Sequence, residues 1–207
     1  MRAFAALALS LCLAAGLVAC KKASSPAPQG AEGDMSLGSP NAKVQVIEYA
    51  SLGCPICAKW NNEQFQTFKA KYIDSGKVHY TLREFLTGDQ PVAAAGFLLA
   101  RCVGKDKYFD VVDAVWRQEA PLLEQPDKDS EKRDAMIKIA ESAGLSEQQF
   151  QDCVNNDAAL NALNQKSQRF ENEDHISSTP TFVINGKAFS GSLDGLDAAV
   201  AAAVTAS

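Results

Sequence analysis

Val44-Gln45-Val46-Ile47-Glu48-Tyr49, running on through Ala50-Ser51-Leu52-Gly53 into Cys54-Pro55-Ile56-Cys57, decides how the rest of the chain is read. Its first six residues are largely β-branched or apolar, the composition of a buried strand, and Ser51-Leu52-Gly53 supplies a tight turn. Pro55 then stands where a first helical turn tolerates proline, because an N–H at that position has no intrahelical partner. Phe65, Phe68 and Tyr72 recur at helical spacing and Asp74-Ser75-Gly76 supplies a stop, so a helix is expected from about 55 to 73. Trp60, Phe65 and Phe68 read as its core face. Val78-His79-Tyr80-Thr81-Leu82 is the next strand. Strand, helix, strand in this order forms a βαβ unit and implies a parallel pair.

Beyond Gly88 the pattern turns helical over residues 89–173, the extent expected of an inserted helical subdomain. Pro91 opens one segment, Gly104 and Gly144 close others, and Ser146 with Gln149 has the spacing of a capping box. A loop is expected from Glu119 to Ser130, where Pro121, Pro126 and a charge cluster interrupt the apolar spacing. Strand character returns at Thr181-Phe182-Val183-Ile184. Asn185-Gly186 before Lys187-Ala188-Phe189 is a strong hairpin signal. An Ala-rich helix follows from about Leu193. The expected order is βα, helical block, ββα, with no internal repeat.

The 207 residues carry 20 Lys and Arg against 25 Asp and Glu, a net charge of −5, and the basic residues are scattered. No basic stripe is offered to nucleic acid. At the N-terminus Arg2 precedes an almost wholly apolar run from Ala3 to Val18, and Lys21-Lys22 follows too soon for an ordinary spanning helix. Residues 1–19 read as a signal peptide. Leu17-Val18-Ala19-Cys20 resembles the lipobox of bacterial lipoproteins, which implies that Cys20 carries lipid and begins the mature chain. A chance Cys20 after an ordinary signal, or an uncleaved anchor, are the alternatives, and export follows in each case. Residues 20–40, rich in Ala, Ser, Pro and Gly, are expected to form a flexible tether, and 41–207 the folded domain.

Six cysteines fall into three groups: Cys12 and Cys20, Cys54 and Cys57, Cys102 and Cys153. A sulfur at Cys54 would sit at a helix N-terminus, where free N–H groups and the macrodipole favour thiolate and hence a nucleophile. Cys57, one turn further in, suits a resolving thiol that closes a disulfide with Cys54. A zinc site would need two further ligands at matching spacing, and none stands out. Haem attachment fails because Ala58 follows Cys57. In an oxidising compartment a structural disulfide is the expected state of Cys102 and Cys153; a second redox pair or two buried thiols are the alternatives.

The element order, with Cys54-Pro55-Ile56-Cys57 at the first helix start and Ser178-Thr179-Pro180-Thr181-Phe182-Val183-Ile184-Asn185-Gly186 at the hairpin, resembles the DsbA-like branch of the thioredoxin superfamily over about residues 44–203. That resemblance implies an α/β thioredoxin fold, a central mixed sheet flanked by helices, with an inserted helical subdomain. It implies a redox-active Cys54–Cys57 pair and a buried acid at Glu48, whose desolvated carboxyl would relay a proton for Cys57. Otherwise Glu48 points to water or pairs with Lys59 or Arg83. It also implies a cis-proline at Pro180, with Thr179 presenting backbone groups to substrate; the alternative is a trans Pro180 opening an edge strand. Ile56 departs from the Cys-Pro-His-Cys of the most oxidising members, which implies a less stabilised thiolate. His79 and His175 show no metal or triad pattern and read as structural or solvated.

The function expected is an exported thiol:disulfide oxidoreductase acting on thiol-containing envelope proteins, with oxidation as the first choice. A dedicated reductase or isomerase is the runner-up, and a non-catalytic thioredoxin-fold binding module the alternative of a different class. A glutathione-dependent isomerase is disfavoured by Cys57. No cofactor or metal is implied, since the electrons reside in the sulfurs. A membrane redox partner, lipid attachment to the membrane and a monomeric state complete the expectation.

Overall fold

The computed structural model describes residues 33–123 and 129–207. The expected signal peptide, Cys12, Cys20 with its expected lipid, and most of the expected tether lie outside the described residues. The elements are β1 (Met35–Leu37), β2 (Val44–Ala50), α1 (55–73), β3 (Val78–Glu84), α2 (Gln90–Cys102), α3 (Lys105–Leu123), α4 (Asp129–Ser142), α5 (Glu147–Val154), α6 (Asp157–Asn172), β4 (Thr181–Ile184), β5 (Lys187–Ala188) and α7 (Leu193–Thr205). Within α1, Pro55–Trp60 and Gln66–Phe68 have α-type turns, whereas Asn61–Phe65 and Lys69–Ile73 are widened to π-type turns.

The five strands form one mixed sheet in the order β1-β3-β2-β4-β5, parallel only between β2 and β3. Strand alternation sends Val44, Val46, Glu48 and Ala50 of β2, with Val78, Tyr80, Leu82 and Glu84 of β3, to one buried face. Trp60 of α1 anchors that core against Phe65, Phe68 and Phe182, at ring separations of 5.4, 5.9 and 4.8 Å. Aromatic pairs of this kind contribute about 0.5–1.5 kcal/mol each beyond the area they bury. Tyr49, Phe85, Phe170 and Ile176 form a smaller core on the opposite face, beneath α6. This is the expected α/β thioredoxin fold, with five helices, α2 to α6, inserted between β3 and β4.

The helix boundaries show why the sequence reads well here. Pro91 lies in the first turn of α2, Gly104 and Gly144 take φ of +90° and +95° after α2 and α4, and Ser146 and Gln149 form the reciprocal capping box of α5. Asn185 and Gly186 both have positive φ, +48° and +78°, as the tight turn between β4 and β5 requires.

Two expectations are corrected. The folded part begins before residue 41: Met35–Leu37, assigned above to the tether, is an edge strand antiparallel to β3. Three residues are too few to show a period, and the strand is held by what lies beside it. The Gly33 carbonyl accepts from Arg101 at 2.9 Å and from Lys166 at 2.8 Å, while Asp34 pairs with Lys166 and Arg83. The expected loop at 119–130 is also shorter at its front, because α3 runs through Pro121 to Leu123; residues 124–128 lie outside the described residues. Tyr108, Val111, Val112, Val115 and Trp116 bury the preceding turns, so tertiary packing carries the helix past a local breaker near its end.

The insertion is tied to the sheet by charge and by sulfur. Fully buried Glu84 receives Arg101 through two contacts of 2.7 Å and the Tyr108 hydroxyl at 2.8 Å, with Lys166 at 3.6 Å. Cys102, at the end of α2, is disulfide-bonded to Cys153 of α5 with Cα atoms 6.0 Å apart. The bond closes a loop of 51 residues. Replacing both cysteines, C102A/C153A, is expected to lower the unfolding free energy by about 3–4 kcal/mol, the loop-entropy value for that length. The urea midpoint at constant m-value reads it, and an unmoved midpoint would remove the stabilising role.

Candidate active site

Between β2 and α1 the chain is packed against the turn that enters the insertion. The Ser51 hydroxyl donates to the Thr87 carbonyl at 2.8 Å and accepts from the Gly53 N–H at 3.1 Å. The Ser51 carbonyl accepts from the Cys54 N–H at 3.2 Å and the Trp116 indole N–H at 3.1 Å, and the Gly53 carbonyl accepts from the Asp89 N–H at 2.9 Å. No side chain fits where these turns meet: a Cβ on Gly88, at φ +69°, would lie 1.9 Å from the Gly53 carbonyl oxygen. Asp89 also caps α2, with Oδ1 accepting from the Val92 N–H at 3.1 Å, and its carboxylate pairs with Lys132 of α4.

That turn places Cys54 as the N-cap of α1, its sulfur accepting from the Cys57 N–H at 3.4 Å. Cys54 is only 6 % exposed and Cys57 is fully buried, but Ile56 between them is 55 % exposed. Across from the pair, the Thr179–Pro180 peptide bond is cis, and the Cys54 thiol lies 3.4 Å from the Thr179 carbonyl oxygen as donor. The two cysteines that the sequence pairs, and the Thr179-Pro180 step 125 residues later in the chain, thus meet at one place.

The two sulfurs differ sharply. The Cys54 pKa is lowered to about 6, first by the hydrogen bond from the Cys57 thiol and then by the Thr179 hydroxyl and the N–H groups of Cys57 and Ile56, which together outweigh desolvation. Cys57 is pushed well up, chiefly by burial, and further by its bond to Cys54 and the charge of Glu48. One thiol is a ready thiolate and the other a reluctant acid. An attacking and a resolving cysteine would require that asymmetry.

Glu48 lies in the middle of the sheet, opposite Leu82 of β3 and Phe182 of β4, and is fully buried. It neither reaches water nor pairs with Lys59 or Arg83; Arg83 bonds Asp34, Asp174 and the Tyr49 hydroxyl on the other face. Burial drives the Glu48 pKa up to about 8, a hydrogen bond from the Tyr80 hydroxyl opposes that rise, and the charge of Cys54 adds to it. Sequence reasoning missed Tyr80. Its signal was present, since a parallel β2–β3 pair with Val78, Tyr80 and Leu82 alternating inward puts Tyr80 on the face that holds Glu48.

Among the described residues, no cluster of three or more His, Cys, Asp or Glu is placed to hold a metal ion. His175 is exposed at φ +55°, and His79 lies half-buried on β3.

A central mixed sheet, a helix-starting Cys-x-x-Cys facing a cis-proline turn, and a helical insertion before that turn define a thioredoxin-fold protein. Residues 30–202 match the family model described as Thioredoxin. The chain belongs to the thioredoxin family. A relative from Rickettsia conorii named as a protein-disulfide oxidoreductase is 32 % identical over 158 residues, covering 75 % of this chain and 54 % of the relative. The chain thus spans about half the length of the Rickettsia relatives it matches. Disulfide bond formation protein D of Bacillus subtilis is 26 % identical over 169 residues, covering 75 % of this chain and 69 % of that protein. Among solved structures, Wolbachia pipientis alpha-DsbA1 superposes with a TM-score of 0.69 at 24 % identity, covering 84 % of this chain and 92 % of the other. A protein-disulfide isomerase from Novosphingobium aromaticivorans gives 0.71 at 22 %, covering 83 % and 97 %. These likenesses show the fold.

Two measurements check the site's electrostatics. Alkylation of the reduced protein is expected at Cys54, with its rate half-maximal near pH 6, and Cys57 is expected to stay unmodified in the native state. A midpoint near the ordinary thiol value of about 8.5 would contradict this arrangement. Glu48→Gln tests the carboxyl. A carboxyl group whose folded pKa is raised to about 8 favours the fold below its unfolded value of about 4.3 and loses that contribution as pH climbs towards 8. The reduced variant is therefore expected to match the parent near pH 4 and to exceed its stability by roughly 4–5 kcal/mol at pH 8.

Proposed function

We propose that this protein is an exported thiol:disulfide oxidoreductase that exchanges the Cys54–Cys57 disulfide with thiol-containing proteins of the cell envelope, in the oxidising direction. The observation that carries the reading is the asymmetry of the two thiols at the start of α1: Cys54 held down to about 6 and Cys57 pushed up. In the oxidising direction a client thiolate attacks Cys54 Sγ, the Cys54–Cys57 bond breaks, and Cys57 leaves as thiolate and takes a proton from the Glu48 carboxyl. A second client thiolate then attacks the client sulfur of the mixed disulfide, forming the client disulfide and releasing the Cys54 thiolate. Two electrons have passed from client to protein. A membrane redox partner that reoxidises the pair completes the cycle.

Thr179 and cis Pro180 supply the edge on which an extended client segment docks, its backbone beside Cys54. The Cys102–Cys153 bond supports an oxidising compartment, where such bridges persist. The names of the Bacillus relatives, disulfide bond formation proteins, support an envelope location. Attachment through lipid on Cys20 would keep a monomeric enzyme at the membrane, and two or three buried acyl chains suffice for that.

A reductase reading has one feature in its favour. Ile56 brings neither charge nor a hydrogen bond to the thiolate, so the reduced form lacks whatever a polar residue there would add. The reduction potential in glutathione buffers separates the readings, with C102A/C153A as the control that isolates the Cys54–Cys57 couple. A value more positive than about −200 mV is expected of a disulfide donor, because the Cys54 thiolate stabilises the reduced form. A value near −250 mV or below would assign a reductase, and the absence of a reversible couple would leave a binding module.

A further inference from the structure

We propose that Tyr80 is a positioning residue of the exchange reaction: its hydroxyl occupies Glu48 Oε2 and so confines the proton that Glu48 trades with Cys57 to Oε1. The inference rests on the reading in which Glu48 serves Cys57. Both side chains are buried, Glu48 fully and Tyr80 to within 1 %. Tyr80 is fixed by its surroundings, with Phe65, Phe109 and Phe68 rings 5.3, 6.2 and 6.4 Å from its own. Its hydroxyl donates to Glu48 Oε2, whereas Oε1, equally buried, has no hydrogen-bond partner among the described residues.

The two oxygens of a carboxyl group are equivalent until something distinguishes them. The phenol is a donor that gives up its own proton with difficulty, since burial and the Glu48 charge push its pKa well up. Oε2 is therefore held as an acceptor in either protonation state of Glu48, and a proton arriving on the carboxyl binds Oε1. A buried acceptor left unmatched is destabilising, so Oε1 is the oxygen with most to gain from a proton. When the Cys54–Cys57 bond breaks, the Oε1–H bond breaks and the proton passes to the Cys57 thiolate. When it re-forms, Cys57 returns the proton to Oε1 and its electron pair enters the S–S bond.

The other ionisable groups acting on this pair are few. α1 contributes Cys54 and Cys57, and α3 contributes Tyr108, whose hydroxyl is engaged by Glu84 of β3. The elements covering β2 from the remaining sides bring Phe182 from β4 and Leu196 and Val200 from α7. Tyr80 is thus the group that distinguishes the two carboxyl oxygens.

The test uses the full chain with its Cys102–Cys153 bond intact. Oxidised glutathione forms a mixed disulfide on Cys54, and its resolution by Cys57 is followed by acid quench and mass spectrometry from about pH 5.5 to 9.5. Glu48→Gln is expected to slow resolution about tenfold or more at pH 7 and to abolish the pH limb assigned to the carboxyl. Tyr80→Phe keeps the ring and removes the donor. It is expected to move that limb about one unit or more to higher pH, with roughly tenfold less carboxylate at pH 7, and to leave the alkylation midpoint of Cys54 in place. Y80F/E48Q should be no slower than E48Q alone. An unshifted limb in Y80F, or a double variant slower than E48Q, would show that Tyr80 only packs. A limb that survives in E48Q would instead overturn the role of Glu48 itself. Should Y80F not fold, the infrared carbonyl stretch of protonated Glu48, identified by its loss in E48Q, reads the same contact. A frequency lowered by a strong donor on Oε2 supports the assignment, and that of a free carboxyl overturns it.

Discussion

A carboxylate cannot be taken from water into a protein core without partners that replace its hydration, and Glu84 is where this molecule meets that requirement. Arg101 of α2, Tyr108 of α3 and Lys166 of α6 all converge on it, and the same two cations hold the carbonyl of Gly33 at the entry to β1. One buried charge at the end of β3 thereby fixes three inserted helices and the edge strand to the sheet. The value of such a cluster lies less in net stability than in specifying one arrangement, since removing any member strands the rest.

Two residues towards the start of β3 the same sheet face holds Leu82, whose neighbour on β2 is Glu48, and there the treatment of a buried carboxyl is the opposite. Among the described residues, no cation pairs with Glu48. A single phenol serves one of its oxygens, and desolvation leaves the group close to balance between its two forms near neutral pH. The contrast separates an ion pair that organises the fold from a carboxyl group whose charge is left unbalanced. The cost of leaving Glu48 so poorly matched falls on stability, in keeping with function drawing on the rest of the fold.

Features that depend on the local chain were legible in the sequence: the β2 alternation, the Pro55 and Pro91 helix starts, the capping box at Ser146, the Asn185-Gly186 turn, and the thiol pair at a helix start. What depends on partners distant in sequence was not. β1 has no periodicity of its own and exists because β3, Arg101 and Lys166 receive it. Helix α3 continues past Pro121 because its earlier turns are buried. The burial of Glu48 was expected from the resemblance, but its partner needed the register of β2 against β3 before Tyr80 could be placed beneath it.

The contact between the Gly53 carbonyl and the Asp89 N–H bears on how the fold can be altered. Asp89 is the first residue of the insertion, the cap of its first helix and the neighbour of the redox turn. With Gly88 packed against Gly53 too closely for any side chain, the joint has no slack. The helical insertion is therefore not a lid that could be exchanged for another of similar size. Any graft would have to reproduce the joint to within the width of a methyl group, or the sulfur at the head of α1 would be aimed elsewhere.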